Sequence, residues 1–349
     1  MYIQNSFVNI LLFLILFQLL LLLINLILGI YKYFIIKELN LLERYGNGSW
    51  VIITGASSGQ GYDFAIAFAK RGFNILMIGS RRSSDTQKFI NNHYPNVKTK
   101  IIIKDFRKAF EDDFFDDIEK VIYKIGSNNA VLINNVGHRV GWNPYHEMNP
   151  KYIRATIAAG TIVQSRLTHM LIPFFLERKK MRSGSENAGG SENAGGNGGG
   201  GYKSALINIT AQCMHPNFLF GITTSNEISV PYLSIYEAAN AFGFYQGNSI
   251  YKEYEGVFDI LNITPGAVIT NNTKYLSGTI FNIESKIFVE NIISLLGNIQ
   301  GTTCGYWGHA LSSYLINFAP FIKDKILKDV GKTIADNFMQ NERENIEKY

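Results

Sequence analysis

The chain has 349 residues, of which 46% are hydrophobic and 17% charged, and its formal net charge is +5. About 250 to 300 residues can share one hydrophobic core, so this composition fits one large globular domain with an appendage. The positive charge is small and dispersed, which argues against a nucleic acid as a partner.

The appendage is the apolar segment of residues 7–30, which carries no charged side chain. At 1.5 Å per residue, such a helix covers a hydrocarbon core of about 30 Å. The alternative is a cleaved signal peptide, but the apolar core is long, no basic region precedes it and no small-residue cleavage site follows it. We therefore predict a transmembrane anchor at 7–30 and a connector at 31–49.

The charges that flank the anchor predict which side of the membrane the rest of the chain occupies. Lys32, Lys37 and Arg44 follow the apolar segment, whereas no charged residue precedes it. The positive-inside rule then places the following domain in the cytosol. The only two cysteines, Cys213 and Cys304, form neither a disulfide framework nor a CxxC metal pattern, and no histidine spacing predicts a metal site.

Residues 50–349 alternate between apolar strand-like runs and helical stretches. The strand-like runs are WVIIT, NILMIGS, TKIIIKDF, AVLINNVG, ALINIT and VFDILNITPG. Strands that alternate with helices form βαβ crossovers, which place helices on both faces of a parallel sheet. The predicted fold class is therefore α/β, a doubly wound parallel sheet of the Rossmann type with an N-terminal transmembrane helix.

A glycine-rich segment at 183–201 interrupts this alternation. It contains the repeat SENAGG twice and no large apolar side chain. Such a segment buries too little surface to offset the entropy of ordering, so we predict a disordered insertion between a helix and a strand.

The run VIITGASSGQG places a strand directly before a glycine-rich turn and a helix. Glycines at such a turn allow the backbone to approach a pyrophosphate, which then lies at the helix N-terminus. A glycine-rich turn that binds nothing is the alternative. The predicted cofactor-binding residues of this turn are Gly55, Ser57, Ser58, Gly59, Gln60 and Gly61.

The second strand ends in IGSRR, which offers Ser80, Arg81 and Arg82 where an acidic residue would bind the ribose of NAD. A guanidinium group suits a 2′-phosphate, so NADP(H) is the predicted cofactor. A solvated basic turn is the alternative.

The spacing TGxxxGxG resembles that of the short-chain dehydrogenase/reductase family. Within that resemblance, Asp105 of the run KDF corresponds to an acid that contacts the adenine, and Asn134 opens the run NNVG, which is similar to the family's NNAG. Pro265 and Gly266 of LNITPG are assigned to the cofactor site as well.

One branch of the family shares further features. The run GTTCGYWGHALSSYLINFAPFIKDKILKDVGKTIADNFM, the N-terminal anchor and LTHMLIPFFLERKK resemble the microsomal very-long-chain 3-ketoacyl-CoA reductases and the 17β-hydroxysteroid dehydrogenases of types 12 and 3. The resemblance implies an endoplasmic-reticulum membrane enzyme with a cytosolic active site. It also implies a lipid-like substrate, an acyl-CoA or a steroid, whose ketone is reduced with NADPH. A homodimer is among the expected assemblies.

The catalytic positions of the family are eroded in this chain. The helix YEAANAFGFYQGNSIYKEYEG aligns with the catalytic helix, which makes Tyr236 the tyrosine and Asn240 the lysine position. The serine position is Ala211, and Gly160 stands where the family has an asparagine. The interval before Tyr236 is also longer than in the family, which predicts a second insertion within 212–231, whose Thr223, Thr224 or Ser225 could offer a substitute hydroxyl.

Two interpretations of this eroded centre stay open. The first is an active, membrane-anchored reductase with an unconventional centre. The second is a catalytically impaired, nucleotide-binding pseudoenzyme with a binding or scaffolding role. In the family, the lysine ammonium lowers the pKa of the tyrosine, and a shift from about 10 to about 7 needs roughly 4 kcal/mol. Neutral Asn240 cannot supply that electrostatic term.

The loss of the lysine predicts an asymmetry between the two directions of reaction. Ketone reduction needs a protonated tyrosine, whereas alcohol oxidation needs tyrosinate, which is about one part in a thousand at pH 7 when the pKa is about 10. We therefore expect ketone reduction to retain more activity than alcohol oxidation. We also expect its rate to be far below that of the family. Initial rates with a 3-ketoacyl-CoA and a 17-ketosteroid, and with the matching alcohols, measure this. Turnover at ordinary family rates would contradict it.

Overall fold

The computed structural model of the chain describes most of the residues that carry these expectations. The described residues are 2–137, 143–187, 202–212, 217–219, 222–224, 230–270, 273, 277–318, 325, 327–329, 331–333 and 335–336.

Seven strands form one parallel sheet, in the order β3-β2-β1-β4-β5-β8-β11. They are β1 (Trp50–Thr54), β2 (Asn74–Gly79), β3 (Thr99–Ile103), β4 (Asn129–Asn134), β5 (Ala205–Ile209), β8 (Asp259–Ile263) and β11 (Gly301–Thr303). Four short strands lie outside it, namely β6 (Asn217–Leu219), β7 (Ile222–Thr224), β9 (Val268–Ile269) and β10 (Ile283–Glu284).

Helices precede the sheet and then connect its strands. They are α1 (Tyr2–Ile30), α2 (Leu41–Tyr45), α3 (Gly59–Lys70), α4 (Ser83–His93), α5 (Asp116–Ile125), α6 (Pro150–Ile157), α7 (Val163–Asn187), α8 (Ser234–Glu253), α9 (Ser285–Leu295) and α10 (Trp307–Phe318). Helices α3, α4 and α9 pack on one face of the sheet, and α5, α7 and α8 on the other. Both faces are covered, so the central strands β1, β2, β4 and β8 are fully buried.

This architecture confirms the predicted doubly wound parallel sheet. The sequence runs predict six of its seven strands. The seventh, β11, is only three residues long, and its pairing with β8 forms it. Because β11 has no apolar alternation of its own, only the neighbouring strand reveals it.

The predicted insertions are only partly described. Residues 183–187 complete α7, and 188–201 lie outside the described residues. Within 212–231, β6 and β7 pair as an antiparallel hairpin, which holds Thr223 and Thr224, whereas Ser225 lies outside the described residues. The predicted domain boundaries stay predictions.

The N-terminal helix is long and apolar enough to cross a membrane, by length and composition. A short π-helical segment, Tyr31–Ile35, continues α1 and packs on the domain. The Tyr33 hydroxyl lies 3.3 Å from the Thr303 hydroxyl, and the Phe34 ring lies 6.1 Å from the ring of Trp307. The end of the apolar helix is therefore attached to the junction between β11 and α10.

Buried asparagines cross-link the carboxyl-terminal half of the sheet. Asn134 Nδ2 donates to Asn208 Oδ1 at 2.9 Å, and Asn208 Nδ2 donates to Asn262 Oδ1 at 2.9 Å. Asn262 Nδ2 then donates to Asn248 Oδ1 on α8 at 3.3 Å, and the Thr302 hydroxyl donates to the same oxygen at 2.7 Å. The ladder ties β4, β5, β8 and β11 to α8, because buried amides satisfy one another.

The buried carboxylate of Asp259 holds the connector against the amino-terminal end of β8. Asp259, at the start of β8, is 1% exposed and accepts from Arg44 Nε at 2.6 Å and Nη2 at 2.9 Å. The Tyr45 hydroxyl donates to it at 2.7 Å. Burial raises the pKa of the Asp259 carboxyl, but the hydrogen bonds from Arg44 and Tyr45 and the charges of Arg44 and Lys203 outweigh it, so the pKa is lowered.

This ion pair predicts a large loss of stability in Asp259→Asn. Removal of one partner leaves the Arg44 guanidinium without its buried counter-charge, which commonly costs about 3 to 5 kcal/mol. The free energy of unfolding of the full-length protein, measured by denaturant titration, should fall by that amount. The exposed pair of Arg107 and Asp105 is the control, because solvent screens such a pair and Arg107→Ala should leave the free energy of unfolding almost unchanged.

The sign of the pKa shift also predicts the pH dependence. A carboxyl whose pKa is lowered by folding stabilises the fold above its unfolded pKa of about 4, and that contribution disappears as pH falls through the lower folded value. Unfolding free energies should therefore converge between the natural protein and Asp259→Asn at strongly acidic pH. A difference that is constant from pH 7 to pH 2 would contradict the assignment.

Candidate active site

The turn after β1 contains three glycines where a side chain would not fit. Gly55 (φ +72°) and Gly59 (φ +57°) adopt left-handed conformations. A Cβ on Gly61 would lie well inside 3.0 Å of the Gly55 carbonyl oxygen. Among the described residues, the Ser58 side chain makes no capping hydrogen bond to α3. The first turn of α3 therefore faces a cradle whose shape suits a phosphate group.

The other predicted residues of this turn line the same cradle. Ser57 and Gln60 are half-buried, and Ser58 is exposed. The Gln60 Oε1 atom is buried and accepts no hydrogen bond from the described residues.

Thr54 fastens this turn to the end of β4. Its hydroxyl oxygen accepts from the backbone N–H groups of Asn135 and Val136, both at 3.0 Å. In return, Asn135 Nδ2 donates to the Thr54 carbonyl at 2.9 Å. These hydrogen bonds therefore hold the glycine turn and the NNVG run together.

Thr270 is a site residue that the sequence reasoning missed. A Cβ on Gly59 would lie 3.3 Å from both the Cβ and the Cγ2 of Thr270. The segment from Pro265 to Thr270 therefore leads from the end of β8 to the phosphate cradle. The signal in the sequence is the run PGAVIT, whose last residue bears a hydroxyl.

The basic turn after β2 lies beside the cradle. Gly79 packs against Gly55, because a Cβ at Gly79 would lie 3.6 Å from the Gly55 Cα. The side chains of Ser80, Arg81 and Arg82 are all exposed. Within the described part of the chain, neither guanidinium forms an ion pair with a carboxylate. Both charges are therefore available to an anion next to the cradle.

Asp105 follows β3, but its carboxylate is already engaged. Arg107 Nη2 donates to it at 2.6 Å and Arg107 Nε at 2.8 Å, and the Arg107 backbone N–H donates at 3.2 Å. These hydrogen bonds from Arg107 lower the pKa of the Asp105 carboxyl. An adenine that binds there has to share Asp105 with Arg107, so the predicted contact remains a prediction.

Asn134 belongs to the asparagine ladder rather than to an open surface. It is 4% exposed, and its Nδ2 donates to the Thr168 hydroxyl as well as to Asn208. These hydrogen bonds hold α7 and β5 next to the site. A direct cofactor contact by Asn134 stays untested.

Pro265 and Gly266 lie against the residue that follows Ala211. The Gln212 backbone N–H donates to the Pro265 carbonyl at 3.0 Å. A Cβ on Gly266 would lie 2.9 Å from Gln212 Oε1 and 2.8 Å from the ring of His309. The glycine is therefore needed for close packing, and the turn connects the ends of β5 and β8.

Tyr236 and Asn240 lie in the first two turns of α8, and both are half-buried. Asn240 Nδ2 donates to the Tyr236 backbone carbonyl at 2.8 Å. The amide at the position predicted to correspond to the family's lysine is therefore folded back on its own helix.

Gly160 lies in a π-helical segment, Ala158–Ile162, between α6 and α7. π-helical turns occur frequently at functional sites. A Cβ on Gly160 would lie only 2.9 Å from the Cβ of Ala239, so the glycine lets the two helices approach. An asparagine at this position would require Ala239 and α8 to shift.

Ala211 is half-buried just beyond β5. Its neighbour Thr210 uses its hydroxyl to donate to the Ile263 carbonyl at 3.0 Å, and the hydroxyl is buried. A Cβ on Gly243 would lie 3.0 Å from Thr210 Cγ2 and 2.9 Å from Gln164 Oε1. The end of β5, α7 and α8 therefore meet at Gly243, one turn beyond Asn240.

Comparison with known proteins agrees with this geometry. The family model for short chain dehydrogenase matches residues 49–185. The very-long-chain 3-oxoacyl-CoA reductase of Rattus norvegicus is 25% identical, over 85% of this chain and 84% of that protein. A 7β-hydroxysteroid dehydrogenase structure superposes with a TM-score of 0.61 at 20% identity, covering 83% of this chain and 98% of that one. A Sphingobium yanoikuyae short-chain dehydrogenase in complex with NADPH gives 0.56 at 19% identity, covering 73% and 87%.

The fold is of the Rossmann type, and the shape of the glycine cradle suits a dinucleotide. The chain is similar to the short-chain dehydrogenases over residues 49–185 and to the very-long-chain 3-oxoacyl-CoA reductases over most of its length. The resemblance predicted from the motifs is thus confirmed. Among the described residues, no group of three or more His, Cys, Asp or Glu side chains is arranged to hold a metal ion.

The cradle predicts that Gly61→Ala abolishes binding of a nicotinamide dinucleotide. The new methyl group would collide with the Gly55 carbonyl, which is backbone and cannot turn away. Fluorescence titration of the full-length protein measures the affinity. Gly278→Ala is the matched control, because a Cβ there meets only a methyl group of Ile269, at 4.0 Å. Equal affinities for the two variants would contradict the assignment.

Proposed function

We propose that the chain is an NADP(H)-binding, membrane-anchored reductase that acts slowly on a ketone of a lipid-like substrate. The observation that carries the proposal is the glycine cradle, complete from Gly55 to Gly61, with Tyr236 retained in the first turn of the helix beyond it.

NADP(H) is favoured over NAD(H) because of the turn after β2. Arg81 and Arg82 are exposed beside the cradle, at the place where a 2′-phosphate would lie. A guanidinium group binds phosphate with charge-assisted, bidentate hydrogen bonds. Gly55, Gly59 and Gly61 would hold the pyrophosphate, and Thr270 lies close enough to Gly59 to add a hydroxyl. When bound, the reduced nicotinamide supplies the electrons that convert the ketone to an alcohol.

Tyr236 is the residue that donates a proton to the ketone oxygen in this proposal. Its hydroxyl serves as a general acid, and each proton transferred by a positioned side chain is commonly worth about 10²- to 10⁴-fold in rate. Ala211 offers no hydroxyl to orient the carbonyl, and Asn240 offers no ammonium group. The expected reaction is therefore slow, since orientation and electrostatic stabilisation contribute large factors.

Two contacts favour the alternative, a catalytically impaired nucleotide-binding pseudoenzyme. Asn240 directs its amide N–H to its own helix, and Ala239 lies so close to Gly160 that no side chain fits there without a shift. Both positions are thus packed as structural elements. The cofactor half of the site would then serve binding or scaffolding rather than turnover.

The substrate class and the membrane assignment rest on similarity and on the N-terminal helix. Relatives named very-long-chain 3-oxoacyl-CoA reductase support an acyl-CoA chain, with a steroid as the second class. The apolar helix α1, and Lys32, Lys37 and Arg44 after it, support an anchor in the endoplasmic reticulum with the domain in the cytosol. A homodimer stays a prediction.

The decisive experiment separates binding from chemistry in the full-length, detergent-solubilised protein. NADPH should bind about tenfold or more tightly than NADH, a difference of about 1.4 kcal/mol. The double variant Arg81→Ala, Arg82→Ala should lose this preference and keep the NADH affinity. Equal affinities for NADPH and NADH in the natural protein would contradict the cofactor assignment.

Single-turnover reduction of a 3-ketoacyl-CoA then tests the chemistry. Tyr236→Phe should abolish the reduction and leave the NADPH affinity unchanged, because only the hydroxyl is removed. The double variant Ala211→Ser, Asn240→Lys should accelerate it. NADPH binding without any oxidation across a panel of ketones would favour the pseudoenzyme.

A further inference from the structure

His309 is a fully buried histidine of α10, at 0% exposure. Its ring packs between aromatic side chains, 5.4 Å from Phe288 and 5.2 Å from Tyr306 between ring centroids. Burial lowers the pKa of His309, so the ring is neutral at pH 7. Among the described residues, this neutral imidazole is not part of a group that could hold a metal ion, so we consider its hydrogen bonds instead.

Two hydrogen bonds connect His309 to the segments that follow β5 and β8. The His309 Nε2 atom lies 3.1 Å from the Ala267 carbonyl oxygen. Because a carbonyl can only accept, the Nε2 atom carries the proton. At the other end of the residue, the His309 carbonyl accepts from Gln212 Nε2 at 3.0 Å. His309 therefore clasps the ends of β5 and β8 together.

The segment from Pro265 to Thr270 spans the cofactor side of the site. Pro265 accepts a hydrogen bond from Gln212, next to Ala211, whereas Thr270 lies against Gly59 of the phosphate cradle. With a pyrophosphate in the cradle and the ribose phosphate near Arg81 and Arg82, the adenine half would lie on the β2 side. The segment from Thr270 to Pro265 would then hold the nicotinamide half, on the side of β5 and α8.

The backbone of Gly266 lies against the His309 ring. A Cβ on Gly266 would lie 2.8 Å from the His309 Cδ2 atom, so the ring leaves no space for a side chain there. The position of the Gly266 and Ala267 peptide groups therefore depends on the imidazole, although the imidazole itself is sealed from solvent.

We propose that His309 is a positioning residue for the nicotinamide half of the cofactor, acting through the Gly266–Ala267 backbone. This inference rests on the proposed NADP(H) binding. It assigns to His309 a role in affinity for one half of the ligand, and no direct contact with either half.

The test compares whole and half ligands on a matched pair of variants. In His309→Gln the side-chain nitrogen can reach the position of Nε2, whereas in His309→Asn it reaches only that of Nδ1. NADPH and 2′,5′-ADP, which lacks the nicotinamide half, are titrated against each full-length protein. We expect His309→Asn to weaken NADPH about tenfold, the usual worth of a buried hydrogen bond, with 2′,5′-ADP unchanged. His309→Gln should restore most of the NADPH affinity.

Gln212→Ala provides a second variant in case His309→Asn does not fold. Gln212 is half-buried, and its truncation removes the hydrogen bond to the His309 carbonyl. The same selective loss of NADPH affinity is therefore expected. An equal loss of both ligands would assign His309 to general stability and overturn the proposal, as would unchanged NADPH affinity in every variant. A natural protein that binds neither ligand would instead refute the proposed function.

Discussion

The site depends on the parallel direction of the central strands. All six pairings in the sheet are parallel, so the segments that follow β1, β2, β4, β5 and β8 emerge at one edge. This constraint brings the phosphate cradle, the basic turn and the PGAVIT segment together, although Pro265 follows Gly61 by 204 positions in the sequence. The opposite edge, where the strands begin, is held by Asp259, whose ion pair with Arg44 fastens the connector to β8.

Glycines, which have no side chain, decide how closely the helices and strands around the site approach one another. Gly61 lets α3 start against the β1 turn, and Gly247 lets α8 lie directly on the amides of Asn262 and Asn208. Gly160 follows the same rule, since it lets Ala239 of α8 lie against the segment between α6 and α7. Close packing is thus present both around the glycine cradle and around the predicted catalytic positions.

Several of these features are visible in the sequence, and others arise only from contacts between distant residues. The alternation of strands and helices, the TGxxxGxG turn and the alignment that selects Tyr236 depend on spacing within one segment. The engagement of Asp105 by Arg107 is also local, but its geometry is not encoded in a motif. The burial of Asn134 in a ladder depends on the strands beside it, which the sequence does not order.

The sequence by itself therefore determined the fold class, the family resemblance, the apolar anchor segment and the residue types available to the site. Periodicity and glycine spacing are local properties, and the backbone must obey them in any packing. Only the tertiary structure decided that Thr270 reaches the phosphate cradle, that Ala239 lies against Gly160 and that His309 supports the turn after β8. Each of these contacts joins residues from different segments of the chain. Their distances are set by side chains that meet across the core, and no single segment contains both partners.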